Sequence, residues 1–131
     1  MIVDASAVLA ILFAEPDRYV FAAAINGARR TAMSAVNWFE AAIAVDRRGT
    51  GEMVAGLGLL LERAGTEIVP FTADQAAIAR RAHETFGKGR HKAYLNMGDC
   101  AAYALAMTRG EPLLFKGGDF SLTDIEPALK D

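Results

Sequence analysis

Short apolar runs along this chain alternate with longer segments in which apolar residues recur every three or four positions. The short runs predict buried strands at Met1–Val3, Arg30–Met33, Glu67–Phe71 and Pro112–Lys116, with a final edge strand at Asp124–Leu129. The longer segments predict helices at Ser6–Ala14, up to Gly27, from the N-cap Ser34 to Arg48, at Gly51–Arg63, from Thr72 to Phe86 and at Met97–Thr108. Thr72 and Gln75 have the spacing of a capping box.

The alternation of strands and helices predicts the fold. Short strands joined by helices imply right-handed crossovers and a parallel sheet with helices on both faces. We therefore predict a single domain over residues 1–131, a three-layer α/β/α sandwich with a central, mostly parallel sheet of four to five strands.

Composition and charge narrow the function classes. With 53% hydrophobic and 23% charged residues, the chain has the composition of a globular protein. The net charge of -2 means that nucleic acid would need a local basic patch. The first fourteen residues lack the basic start of a secretory signal, and charge-free stretches such as Ala5–Ala14 are too short to span a membrane. A single cysteine, Cys100, fits a reducing compartment, so we expect a cytoplasmic protein without membrane contact.

Four acidic residues occupy unusual positions. Asp4 directly follows the first strand, where a charge has little structural purpose, and Asp119 follows the strand at Pro112–Lys116. In a parallel sheet both would lie at the carboxyl edge, where sites form. Glu40 and Asp99 are the isolated charges of two otherwise apolar helical stretches, and an unpaired buried carboxylate is costly.

Each acid also has a plain structural explanation. Asp99 can complement its helix dipole, Asp119 can be a turn residue and Glu40 can pair with an arginine. Taken together, the four favour a common site, in which like charges about 4 Å apart would repel by roughly 4 kcal/mol unless cations bind or pKa values rise. Carboxylate ligands without a His/Cys cluster favour Mg²⁺ or Mn²⁺, which suit phosphodiester hydrolysis.

At these positions the chain resembles a known family. Met1–Ala7 with Asp4 and Ser6, Glu40 in its helix, Asn96–Cys100 around Asp99 and Leu114–Phe120 around Asp119 together resemble a PIN domain, and more narrowly a VapC-type toxin ribonuclease. The likeness covers nearly the full chain. It implies an Mg²⁺- or Mn²⁺-dependent endoribonuclease that forms a homodimer and is inhibited by a VapB-type antitoxin. It also implies that Asp4, Asp99, Glu40 and Asp119 are catalytic metal-site residues and that Ser6 orients Asp4.

Two further segments are candidates for contact with substrate and partner. The glycine-flanked loop before Asp99 would contact RNA phosphates and stack a base through Lys88, Arg90, His91, Lys92 and Tyr94; its alternative is a solvated, mobile loop. The Gly51–Leu61 helix is apolar on more than one face and contains Gly56 and Gly58, so it is either an antitoxin or dimer surface or a buried helix. We expect Trp38 and Cys100 to lie in the core.

Other functions fit the residues less well. An aspartyl phosphatase or phosphotransferase would need a second aspartate two positions after Asp4, where Ser6 stands. A receiver-type module would need an aspartate directly after Glu67–Phe71, but Asp74 falls in the next helix. A non-catalytic binding module with a decayed site would not require all four acids.

Overall fold

Four parallel strands form one sheet in the computed structural model, which describes residues 1–130. The strands are β1 Ile2–Val3, β2 Ala32–Ser34, β3 Glu67–Val69 and β4 Leu113–Leu114. The helices are α1 Ala5–Leu12, α2 Arg18–Gly27, α3 Ala35–Arg48, α4 Gly51–Ala64, α5 Ala73–Phe86 and α6 Met97–Arg109, and a 3₁₀ turn follows at Phe120–Leu122. The strand order is β3-β2-β1-β4.

Strands β1, β2 and β4 are buried on both faces, whereas only Val69 is buried in the edge strand β3. Along the buried strands the side chains alternate between two cores. Ile2, Ala32 and Leu113 join a cluster with residues of α5 and α6. Val3 and Met33, one position further along, join a second cluster with residues of α1, α2 and α4. Successive side chains of a strand thus face opposite sides of the sheet, and each side is covered by a layer of helices. This arrangement confirms the predicted α/β/α fold.

The helices lie close to their predicted bounds, although α1 ends at Leu12 and not at the predicted Ala14. Ser34 caps α3 through its side chain, and Gly49 ends that helix. Thr72 caps α5 through its hydroxyl, but the Gln75 amide donates to the carbonyl of Pro70. The predicted capping box at Thr72 is therefore only half formed.

The strands are shorter than predicted, and the chain after the 3₁₀ turn contains no regular strand up to residue 130. Pro127 pairs with Leu113 only as an isolated parallel bridge, in which Leu113 donates to the carbonyl of Glu126 and accepts from Ala128. The prediction of an edge strand at Asp124–Leu129 is thus wrong, although this segment does lie beside β4 and pairs with it at one residue.

For the helices, one burial prediction was wrong and one open alternative is decided. Trp38 is 41% exposed, whereas Val45, which lies on the same helical face seven positions later, is buried. In α4 the buried residues are Leu57 and Leu61, so the alternative of a buried helix fails. No helix within residues 1–130 is long and apolar enough to cross a membrane.

Candidate active site

The carboxyl edge of the sheet has a point where the strand order reverses. From central β1 the chain moves outward to β2 and β3, and it later returns to place β4 on the other side of β1. Helices α1 and α3 begin directly after β1 and β2, and α6 begins at the same edge because it leads back to the start of β4. Reversal points of this kind leave a crevice that holds sites in α/β proteins.

Asp4 lies at this reversal point and is almost fully buried. It is the N-cap of α1, so the expectation that it has little structural purpose was wrong. Its Oδ2 accepts from the Ser6 backbone N–H at 3.1 Å and from Ser6 Oγ at 2.6 Å, while Ser6 Oγ accepts from the Lys116 N–H at 2.9 Å. Ser6 therefore fixes the Asp4 carboxylate and connects it to the end of β4.

Burial changes the titration of Asp4. Desolvation, opposed by the hydrogen bonds from Ser6 and reinforced by the charge of Glu40, raises the pKa of Asp4 from 3.8 to about 6. Its second oxygen, Oδ1, is buried and has no hydrogen-bond partner among residues 1–130. A buried oxygen without a donor is costly unless something else contacts it.

Asp99 lies in the first turn of α6 and forms a complete capping box. The Asn96 N–H donates to Asp99 Oδ2 at 3.0 Å, and the Asp99 N–H donates to Asn96 Oδ1 at 2.9 Å. Burial, together with the charges of Asp4 and Asp119, raises the pKa of Asp99 to about 6. The structural explanation for Asp99 therefore holds alongside the functional one, since one oxygen is used by the cap.

Glu40 is half-buried in the second turn of α3 and faces the start of α6. Burial raises the pKa of Glu40, the hydrogen bond from Asn37 lowers it, and the charge of Asp99 raises it further. No arginine pairs with Glu40 in the part of the chain that the structure describes. Asn37, which sequence reasoning missed, precedes Glu40 by one helical turn, and this spacing was the signal that could have identified it.

Asp119 has a different position from the other three acids. It is exposed at the start of the 3₁₀ turn and makes no capping hydrogen bond. Its charge raises the pKa of Asp99, as the charge of Asp4 does, so its exposure is what distinguishes it from the other three acids. The structure thus brings three carboxylates together in the crevice and places Asp119 at its rim.

The described residues, 1–130, contain no set of three or more His, Cys, Asp and Glu side chains already spaced to hold a metal ion. The donor chemistry nevertheless fits a hard divalent cation, because the converging groups are carboxylates and Asp4 Oδ1 is buried without a donor. Mg²⁺ is commonly bound through one or two carboxylates plus waters and substrate phosphate, so a closed protein cage is not required.

The segment between α5 and α6 is a closed, hydrogen-bonded loop. The Lys88 N–H donates to the carbonyl of Leu95, and the Leu95 N–H donates to that of Phe86. Within residues 1–130, none of the loop's basic side chains takes part in an ion pair. The exposed side chains are Lys88, Arg90, Lys92 and Tyr94. This internal hydrogen bonding argues against the mobile-loop alternative.

His91 differs from its basic neighbours because its ring packs against the loop. Its Nδ1 accepts from the Ala93 N–H at 2.9 Å, and the ring meets Phe86 edge-on at 5.3 Å. The half-buried His91 therefore takes part in the internal contacts of the loop, and its contact with RNA phosphate stays a prediction.

Comparisons with known proteins agree with this geometry. A family model described as PIN domain matches residues 1–126. The chain is 46% identical over 125 residues to Ribonuclease VapC30 of Mycobacterium tuberculosis, covering 95% of each protein. It is 45% identical over 125 residues to Ribonuclease VapC of Mycolicibacterium smegmatis, covering 95% of this chain and 97% of that protein.

Solved structures resemble the fold at lower sequence identity. Mycobacterium tuberculosis VapC20, described as a sarcin-ricin loop cleaving toxin, superposes with a TM-score of 0.78 at 16% identity and 95% coverage of both chains. FitAcB from Neisseria gonorrhoeae gives 0.67 at 21% identity, covering 97% of this chain and 96% of that one. At these identities the likeness shows the fold alone.

Proposed function

The chain belongs to the PIN-domain family, and from this premise we propose how its residues cleave RNA. It is an endoribonuclease of the VapC type, the toxin of a toxin–antitoxin pair. The observation that carries the proposal is the group of three carboxylates, Asp4, Glu40 and Asp99, which converge at the strand-order reversal and influence each other's pKa.

The catalytic assignment gives each acid a role that follows from its surroundings. Asp4 and Asp99 are the primary metal ligands, because each has one oxygen fixed by hydrogen bonds and the other left over. Glu40 supplies a third carboxylate that binds metal or orients the attacking water. Asp119, exposed at the rim, completes the set as an outer metal-site residue.

The cofactor we propose is Mg²⁺ or Mn²⁺. When bound, such an ion supplies a Lewis acid for the phosphate and lowers the pKa of a water molecule. The protein contributes the placement of the carboxylates, which Ser6 and the α6 capping box hold before any substrate arrives. Fixed ligands of this kind avoid reorganisation during the reaction.

The proposed RNA-binding surface is the loop at 87–95. Lys88, Arg90 and Lys92 provide cations without internal partners, and Tyr94, 55% exposed, provides a ring on which a base can stack. Tyr94 has a positive φ of 59°, an unfavourable conformation for a non-glycine residue. His91 supports this surface from within the loop.

A VapB-type antitoxin is the proposed protein partner, and the surface we assign to it lies on α4. A groove of about 310 Å³ runs between α1, α2 and α4 and is mostly apolar. Gly58 has no neighbouring atom within 4 Å of the position a Cβ would take, so the fold does not require a glycine there. A partner backbone that packs closely on α4 would explain it.

We also propose a homodimer and a cytoplasmic location. Met97, next to the active site, is 81% exposed, and with Val36 and Phe71 it lines an apolar groove of about 420 Å³ that a second copy would cover. Burial of such surface on association is favourable. Cytoplasmic location is supported by the free, buried Cys100 and by an RNA substrate.

The test of the proposed site uses Asp4→Asn and Asp99→Asn. Asparagine is a good N-cap at position 4, and at position 99 its amide oxygen can still accept from the Asn96 N–H. Both variants should therefore keep the fold while they lose a ligand charge. We expect each to lose RNA cleavage in Mg²⁺ by at least about 100-fold and to bind Mn²⁺ more weakly in calorimetry. Full cleavage activity in both variants would rule out the proposed metal site.

A further inference from the structure

The carboxylate of Glu40 occupies space beside α6 that is free because position 98 is a glycine. A Cβ built on Gly98 would lie 2.5 Å from Glu40 Oε2 and 2.8 Å from both Cδ and Oε1. Gly98 is buried and does not have a positive φ, so its backbone conformation is one that any residue adopts. The space taken by the Glu40 carboxylate is therefore what demands a glycine here.

A buried asparagine connects the same two helices. Asn37 Nδ2 donates to the Gly98 carbonyl at 2.9 Å and to Glu40 Oε1 at 3.4 Å. Asn37 is fully buried, and its Oδ1 has no partner within residues 1–130. An apolar side chain of similar size would avoid this cost, so stability alone does not account for an asparagine at this position.

We propose that Gly98 and Asn37 are positioning residues for the Glu40 carboxylate. Gly98 leaves the room that the carboxylate occupies against the first turn of α6. Asn37 holds one carboxylate oxygen and fixes α3 to that turn, which also carries Asp99. This inference rests on the proposed function, in which Glu40 serves the metal site.

Gly98→Ala is the direct test. The added methyl group displaces the flexible end of Glu40, while alanine favours the helix more than glycine does, so the melting temperature should stay the same or rise. We expect the single-turnover cleavage rate of a fluorogenic random-sequence RNA pool to fall roughly 10- to 100-fold, and Mn²⁺ affinity in calorimetry to fall similarly. Gly27→Ala is the matched control, because nothing lies within 4 Å of a Cβ at that helical glycine.

A double variant separates displacement of Glu40 from general damage. Aspartate at position 40 is one methylene shorter and withdraws from position 98. In the Glu40→Asp background, Gly98→Ala should therefore cause no further loss of rate or Mn²⁺ affinity. Additive losses would overturn the inference.

Asn37→Leu provides an independent measurement. It removes both hydrogen bonds and the unpartnered oxygen, so we expect an unchanged or higher melting temperature with weaker Mn²⁺ binding and slower cleavage. Should Gly98→Ala fail to fold, this variant decides the question. Full activity in Glu40→Gln would refute the role of Glu40 itself, whereas an inactive Glu40→Gln beside fully active Gly98→Ala and Asn37→Leu would refute only the positioning.

Discussion

At the scale of single residues, two acids of this site have a role in the fold besides the catalytic role that we propose for them. Asp4 caps α1 and Asp99 closes the capping box of α6. Helix N-termini stabilise negative charge, yet burial outweighs this effect and leaves both carboxyl pKa values near 6. Keeping these buried carboxylates ionised close to one another therefore destabilises the folded protein, and a bound cation would offset this effect.

This destabilisation predicts a pH dependence of stability in metal-free protein. Because the pKa of Asp4 rises from 3.8 to about 6 on folding, the folded state binds its proton more tightly, and stability falls as the pH increases through this interval. About two pKa units correspond to about 3 kcal/mol, an upper value for this residue at pH 7. In EDTA, Asp4→Asn should therefore be more stable than wild type at pH 7 and should show a shallower pH dependence.

Urea unfolding followed by circular dichroism between pH 4.5 and 7.5 measures this difference. Asp74→Asn is a matched control, since Asp74 is an exposed acid in the first turn of α5. If the free energy of unfolding of wild type and of Asp4→Asn changed with pH in parallel, burial would not raise the pKa of Asp4.

At the scale of elements, the loop at 87–95 is a preformed surface. Its backbone hydrogen bonds and the His91 contacts order it, while its cations face outward without partners. An ordered loop loses less conformational entropy when it binds. The loop leads through Asn96 into α6, so a phosphate held on it lies close along the chain to the Asp99 carboxylate.

Arg90→Ala should therefore weaken RNA binding and reduce the slope of log affinity against log salt by about one. Arg80→Ala is the control, because it removes the same charge from an exposed residue of α5 that is paired with Glu84. Anisotropy titrations over a range of salt concentrations measure both slopes. Equal changes in the two variants would show that the loop has no special role in binding.

Sequence reasoning identified the elements better than their contacts. The strands, helices and their order followed from periodicity and caps, which are local properties, and the carboxyl-edge position of Asp4 followed from the βαβ pattern. Gly98 and Asn37 could not be found in that way. Their importance depends on how α3 packs against α6, a contact between residues 61 positions apart.

The same limit explains the error for α3 and the open alternative for α4. Helical spacing gives the faces of a helix but not how much of each face the rest of the fold covers. Trp38, on the same face as the buried Val45, was therefore wrongly placed in the core. For α4 the pattern left a buried helix and a binding surface equally open. Only the packed structure, with Leu57 and Leu61 inward and Val54 and Leu59 exposed, separates them.

At the scale of the whole molecule, the proposed function needs a basic surface for RNA beside the acidic site. A net charge of -2 gives little general attraction for RNA, so the RNA binding that we propose depends on the basic loop beside the carboxylates. The groove along α4 involves α1, α2 and α4 in one helical layer, whereas the loop joins the helices of the other layer. A partner could therefore bind α4 without occupying the RNA surface directly.

This arrangement predicts which residues change their hydrogen exchange when the antitoxin binds. Amide hydrogen exchange in Gly51–Ala64 should slow when the antitoxin binds, while the exposed face of α5 should change little. Leu59→Asp should weaken the complex, because the residue lines the apolar groove. Met107→Asp is the matched control, since both side chains are 45% exposed but Met107 lies on α6 in the other layer. Identical exchange in α4 with and without antitoxin, or equal weakening by both variants, would place the partner elsewhere on the molecule.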